Sequence, residues 1–392
     1  MKQMVMSSSL SANIIQAVGT TIGNVTTGLH EPSFDDRDKA AMQEVIEFGY
    51  VSSVGPHLDK FEKQLQSFTD ASYVVAVTNG TAALTLALLA SGIKPSQEVL
   101  TPALTFVATA NAIMHAGAIP HFIESDFNTL GVDTNALRAY LEKSTIIKEG
   151  HLLNTRTGRV IAAIMPVHVF GHIGDMTGLI KLAHEFNLPI IEDAAEALGS
   201  FQHGTHAGCF GICGTISFNG NKIITTGGGG AVLTNDPNVA TNARHLATTA
   251  KMPHRYEYFH DRLGYNFRMP ALNAALGCAQ MEKLPEFLKL KKKLNDDYAR
   301  NFSNIGGCDF INSPDHSQSN HWLNAIRLTP ENKSARNTVL DALNEVGFGS
   351  RPIWALLNTL PHFADCPAMS LDAAEDLAAR IINIPSSSFL AR

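Results

Sequence analysis

The chain has 392 residues and a formal charge of −6, with 45% apolar and 17% charged residues. That length favours one large and one smaller structural unit, and the composition supplies a sizeable core while excluding global disorder. The acidic balance, with no basic run longer than Lys291–Lys293, excludes the electrostatic footprint of a nucleic-acid or anionic-membrane binder.

The opening stretch, MKQMVMSSSLSANIIQAVGTTIG, is Ser- and Thr-rich and only intermittently apolar. Neither a signal peptide nor a spanning helix of ~18 apolar residues is expected there. The five cysteines are too few and scattered for a disulfide framework, so a reducing, cytoplasmic location follows. Cys209 and Cys213 lack a second pair of nearby ligands, and no metal site is expected.

From about Tyr73 the chain alternates short β-rich runs with segments of helical period. YVVAVT reads as a strand and TAALTLALLASG as a helix ended by Gly92. EVLTPA is a second strand, TFVATANAIMHAG a helix closing at Gly117, and IPHFIES a third strand. A charged helix follows around Asp133–Glu142, then the buried strand and loop RVIAAIMPVHVFG, the helix MTGLIKLAHEFN, and a strand opening LPIIEDAAEALGS. This repetition predicts an α/β fold with a mainly parallel sheet covered by helices on both faces. Beyond about Lys251 the texture shifts to long helices and then to α+β. The expected division is an N-terminal segment 1–30, a large domain 31–250 and a smaller C-terminal domain 251–392.

In a parallel α/β sheet, ligands bind beyond the carboxyl ends of the strands. Asn79-Gly80-Thr81 follows a strand and opens a helix, so the Gly80, Thr81 and Ala82 amides form either a phosphate cradle or an ordinary turn. Glu192 and Asp193 end a buried strand, where a carboxylate needs a positive partner or serves as a helix cap. Lys222 follows the apolar run TISF and lies five residues after Ser217. A lysine in an apolar pocket is a usable nucleophile toward carbonyls. Gly227–Gly230 reads as a tight reversal between strands with backbone close to something bulky. No GxGxxG stands ahead of a helix, so a dinucleotide loop is not expected. Phosphate cradle, carboxylate and Ser-x4-Lys together are what pyridoxal phosphate needs: an anion site, an acid for its ring nitrogen and a Schiff-base lysine.

The sequence resembles the nucleotide-sugar aminotransferases of the DegT/StrS type from about Leu29 to Ser388, through NGTAALTLAL, TPALTFVATANAI, PVHVFGHIGDM, IEDAAEALGS, SFNGNKIITTGGGGAVLTND, GYNFRMPALNAALGCAQ and RPIW. HEPSF, VSSVG and FNGNK resemble the branch acting in legionaminic-acid and bacillosamine-like pathways. The resemblance implies the aspartate-aminotransferase-like fold type I of pyridoxal-phosphate enzymes. It also implies that Lys222 forms the Schiff base, Asp193 pairs with the pyridine nitrogen, Phe106 stacks on the ring, and Gly80, Thr81 and Ser217 hold the phosphate. Asn266 would reach the phosphate of a neighbouring subunit, making the active unit a homodimer with shared sites.

Two positions depart from the common pattern: Glu196, near the cofactor's phenolic oxygen, where many relatives carry Gln or His, and Asn219 in place of a commoner His. The implied reaction moves an amino group from L-glutamate to C4 of a nucleotide-linked 4-keto-6-deoxy sugar, UDP-2-acetamido-2,6-dideoxy-hexos-4-ulose fitting the branch. Dehydratases of the same fold replace the lysine with histidine, so Lys222 argues against that alternative; a non-catalytic cofactor-binding sensor is the other. Asn320, His321, Arg351 and Trp354 are candidates for the sugar-nucleotide pocket or for an aromatic domain interface. Ser52 and Ser53 are candidates for contact with the sugar or nucleotide.

Overall fold

The computed structural model describes residues 2–315 and 317–392, with side chains from residue 9 onward. Seven strands make the large sheet: β1 (Tyr73–Val77), β2 (Glu98–Pro102), β3 (Ile119–Ile123), β4 (Ile161–Ile164), β5 (Ile191–Asp193), β6 (Cys213–Ser217) and β7 (Gly230–Thr234). Their order is β1-β7-β6-β5-β4-β2-β3, with β4 and β5 joined by the bridges Ile164–Ile190 and Val167–Asp193. Only β7 runs against its neighbours; the other strands share one direction. β2, β6 and β7 are buried along their whole length, which is why they read as continuous rather than alternating apolar runs.

The helix Gly80–Ala90 is buried on nearly all sides, as its sequence GTAALTLALLA requires. Its packing against β6 and β7 holds its first turn at the sheet's edge of strand ends. The chain stays with this sheet beyond residue 250. Thr78 N–H donates to the Phe267 carbonyl at 2.8 Å, and Met269 N–H donates to that of Ala76 at 3.2 Å. The division therefore falls at the helix Ala271–Phe302, later than the texture of the sequence indicates, because 251–268 is largely exposed and carries no strand pattern to tie it to the sheet.

That long helix joins the two parts. It packs against helices Asp36–Phe48 and Pro56–Thr69 and also against the N-terminal helix Lys2–Ile22. Lys283 Nζ is buried against Asp38, fixing the first of these contacts. The second sheet contains β8 (Cys308–Phe310), β9 (Asn324–Leu328), β10 (Arg351–Pro352) and β11 (Ile381–Ile384), antiparallel in the order β8-β9-β11-β10. Leu10, Ile14, Val18 and Ile22 share a core with Tyr298, Val339, Leu343 and Ile382. The N-terminal segment is thus part of the smaller unit rather than a separate one.

Candidate active site

A cavity of about 340 Å³ opens at the carboxyl ends of the large-sheet strands. Its walls include Asn79, Gly80 and Thr81 after β1, Thr105, Phe106 and Thr109 after β2, Asp193 at the end of β5 with Glu196 beyond it, and Ser217, Asn219 and Lys222 at and after the end of β6, with Trp322 and Trp354 contributed by the later chain. A wider cleft of about 630 Å³ over Asp175, Gln202 and Arg327 contains none of this lysine–carboxylate set. The chemistry places the site in the smaller cavity.

Asn79 caps the helix Gly80–Ala90, its Oδ1 accepting the Ala82 N–H at 2.8 Å. That occupies one of the three amides expected in the cradle and leaves Gly80 and Thr81 to face the cavity beside Ser217. A Cβ on Gly80 would lie 2.9 Å from the Ser217 Cβ, so only glycine lets these two cavity walls approach so closely. The glycine run serves the same junction. Gly227 adopts φ +79°, and a Cβ on Gly230 would lie 2.6 Å from the Asn79 carbonyl oxygen and 2.8 Å from the Gly80 nitrogen. What the run lies close to is therefore the backbone of the cradle itself.

The two adjacent carboxylates of β5 point to opposite faces and have different tasks. Glu192 is fully buried and accepts the N–H groups of Gly208, Phe210 and Gly211 at 2.8, 2.6 and 2.7 Å, with His168 Nε2 at 2.9 Å. It ties down a loop. Asp193 lines the cavity; its Oδ2 accepts the Thr109 hydroxyl at 2.7 Å and its Oδ1 the Ala195 N–H at 3.1 Å. Burial pushes its carboxyl up from the ordinary range, against the Thr109 and Ala195 hydrogen bonds and the charges of Lys222 and His168. A cation placed against it would relieve that cost.

Lys222 begins after a turn in which its N–H donates to the Asn219 carbonyl at 3.0 Å. Its Nζ lies 3.4 Å from Glu196 Oε1 and 3.8 Å from the centroid of the Trp322 ring. Burial drives the Glu196 carboxyl up to about 7, with the Lys222 charge opposing it. Glu196 Oε2 accepts the N–H of Phe170, a residue held at φ +59° in the left-handed region. Asn219 donates to Asn221 Oδ1 at 3.0 Å, within the lysine turn.

The remaining expected residues separate clearly. Phe106, half exposed, lines the cavity with Trp354, their rings 6.4 Å apart; Trp354 also meets Phe170 at 5.5 Å. Asn320 does not line it, because its amide donates to the Glu196 and Leu198 carbonyls at 2.8 and 2.9 Å. His321, at φ +50°, turns toward Ser313 Oγ at 3.5 Å, and burial pushes its imidazole down to about 3. Arg351 sits exposed on the edge strand β10, its guanidinium reaching the Ser350 carbonyl at 3.2 Å. Ser53 also lies outside the cavity wall; Asn266, expected to reach a neighbouring subunit's phosphate and not this cavity, is exposed and bridged to Thr248. Thr109 and Trp322 complete the site without having been expected. Thr109 offered only a hydroxyl in a helical run that also carries Asn111 and His115, and Trp322 stood beside two polar residues that drew attention first.

Two N–H groups at a helix start beside a serine hydroxyl suit a phosphate, the buried Asp193 suits a protonated ring nitrogen, and Lys222 suits an aldehyde. The residues present fit pyridoxal phosphate. The model of the DegT/DnrJ/EryC1/StrS aminotransferase family matches residues 32–392. The chain is 34% identical over 362 residues to the GDP-perosamine synthase of Caulobacter vibrioides, covering 92% of each protein. It is 35% identical to the GDP-perosamine synthase of Escherichia coli O157:H7, covering 91% of this chain and 92% of that protein. Among solved structures, the aminotransferase TlmJ from Streptoalloteichus hindustanus superposes with a TM-score of 0.83 at 26% identity, over 92% of this chain and 94% of that one. The chain belongs to the DegT/DnrJ/EryC1/StrS aminotransferase family and is a pyridoxal-phosphate-dependent sugar aminotransferase.

Proposed function

We propose that this chain transfers the amino group of L-glutamate to C4 of a nucleotide-linked 4-keto-6-deoxy sugar, with Lys222 and Asp193 as the catalytic residues. The observation that carries the reading is the Lys222 amine in one cavity with Asp193 and the Gly80–Ser217 anion cradle. When bound, the cofactor supplies the carbonyl and electron sink on which an amino group is carried. The Gly80 and Thr81 amides and the Ser217 hydroxyl hold its phosphate, and Phe106 offers a ring face. Asp193, oriented by Thr109, holds the proton on the ring nitrogen. Lys222 Nζ takes the proton from the donor's Cα and, in the acceptor half of the reaction, delivers one to C4 of the sugar, and Glu196 Oε1 stabilises the charged form of that amine. Because donor and acceptor use the same groups in turn, ping-pong kinetics follow.

The acceptor we propose is UDP-2-acetamido-2,6-dideoxy-hexos-4-ulose, on the resemblance carried by HEPSF, VSSVG and FNGNK. A GDP-linked 4-keto-6-deoxy sugar is the second reading, favoured by the GDP-perosamine synthases among the relatives. The active unit is a homodimer in this reading. Support comes from exposed apolar residues, among them Phe48, Tyr50, Tyr256, Tyr258, Phe259 and Leu263, on segments flanking Asn266 or preceding helix Pro56–Thr69. Incubation with pyridoxal phosphate, L-glutamate and a panel of UDP- and GDP-linked 4-keto sugars tests the reading. A C4 amine seen by mass and NMR, with 2-oxoglutarate formed alongside, is the expected result. Absence of product across the panel, or an amine at C3, would contradict it.

A further inference from the structure

Each polar group of Trp322 is held. Its backbone N–H donates to Asn320 Oδ1 at 2.8 Å, its carbonyl accepts from Lys291 Nζ at 2.7 Å, and its indole N–H donates to the Asn221 carbonyl at 2.7 Å. Lys291 is fully buried on the long helix, and its other partner is the Ser386 carbonyl. Asn221 immediately precedes Lys222, so the indole is tied to the very turn that carries the amine. Asn320 in turn donates to the backbone carbonyl of Glu196 at 2.8 Å.

These bonds close a circuit. It runs from the Glu196 backbone through Asn320, Trp322 and Asn221 to Lys222, and returns from Lys222 Nζ to Glu196 Oε1 at 3.4 Å. Inside it the amine stands 3.8 Å from the indole centroid. An ammonium over an indole face is attracted by the ring quadrupole, more strongly where water is excluded, and Lys222 is largely shielded. The backbone bonds fix where the residue stands, as they would for any buried residue, but a tryptophan that merely filled space would need neither its indole N–H tied to the lysine turn nor its ring face turned to a reactive amine.

We propose that Trp322 is a positioning residue for Lys222: its indole face seats the amine whenever that amine is not bonded to a carbonyl, and keeps Nζ in the cavity. The inference rests on the reading of Lys222 as the Schiff-base lysine. Through Lys291 and Asn320, the seat also ties the amine's position to the long helix and to the turn after β5 that bears Glu196.

Cofactor-free protein reloaded with pyridoxal phosphate, followed by the rise of Schiff-base absorbance, tests this apart from turnover. Trp322→Leu is expected to develop the absorbance about five- to tenfold more slowly, and Trp322→Phe, which keeps a ring, to load near the parental rate. A space-filling role would lower Tm in both variants and leave both loading rates unchanged. The chain has two tryptophans, Trp322 and Trp354, so in a Trp354→Phe background emission comes from Trp322 alone. In that background Lys222→Met should shift the emission of the cofactor-free protein, a measurement that needs no folded Leu variant. Parental loading by Trp322→Leu, or unchanged emission on Lys222→Met, overturns the seat. Should Lys222→Met itself still develop the Schiff-base absorbance, the assignment of Lys222 falls, and the seat with it.

Discussion

The two walls of the cavity are built on different logic. On the large-sheet side, Gly80, Asp193, Ser217 and Lys222 stand at or just beyond strand ends, where a parallel sheet necessarily collects loops and helix starts around one point. On the side of the later chain, Asn320, His321 and Trp322 are consecutive yet do three separate things: one stitches backbone, one turns away, and one lies under the lysine. Topology brings the first wall together, and the close approaches at Gly80 and Gly230 and the Thr109–Asp193 bond refine it. The second depends on a single left-handed residue, His321, and on the hydrogen bonds that hold its neighbours.

That contrast is broken most severely at Lys222. Lys222→Ala should lower the rate of amino transfer by roughly 10³-fold or more, measured in single turnover with L-glutamate, while Tm changes little. A smaller loss would mean that the large-sheet wall supplies binding and not chemistry. Asn320→Ala tests the other wall. It leaves the Glu196 and Leu198 carbonyls and the Trp322 N–H without their partner, and should destabilise the fold by about 2–4 kcal/mol in denaturant unfolding. A neutral result would show that the stitching is not needed.

Glu196 lies between the walls and gives a pH signature. Burial moves its carboxyl from 4.5 to about 7, so between those values the folded chain holds a proton that the unfolded chain has lost. Stability of the cofactor-free protein therefore falls as pH rises through this window and levels off above it. Glu196→Gln should remove that slope and be more stable above pH 7 by up to about 3 kcal/mol, read from paired unfolding curves. Parallel pH profiles for the two proteins would refute the assignment. The smallest effect is expected at Arg351, exposed and outside the cavity: Arg351→Ala should alter stability by less than about 0.5 kcal/mol and leave the KM for the sugar unmoved.

The β-α order through Ser200 was legible because buried parallel strands write short, largely apolar runs, and the first two helices between them close at Gly92 and Gly117. The strand-end residues followed from that order. The glycine run was legible as a close approach, but its partner was not: the Asn79–Gly80 backbone lies some 150 residues earlier in the chain, and contact across that separation leaves no local pattern. The side-chain directions at 320–322 were hidden for a similar reason. A residue at positive φ breaks the alternation that strand-flanking segments otherwise obey, and nothing in NHW marks which side chain will face the cavity. The extent of the large unit to Met269 was equally hidden, since 251–263 is largely exposed and the ties to the sheet, backbone bonds and the packing of Tyr265 and Phe267, come near the end of the segment.

In this reading one amine, Lys222, carries the cofactor. Borohydride reduction of the pyridoxal-phosphate-loaded protein, followed by peptide mapping, tests it most directly. A pyridoxyl mass is expected on the peptide containing SFNGNK, at Lys222 and nowhere else. Stoichiometric label on another lysine, or none on Lys222, would contradict it.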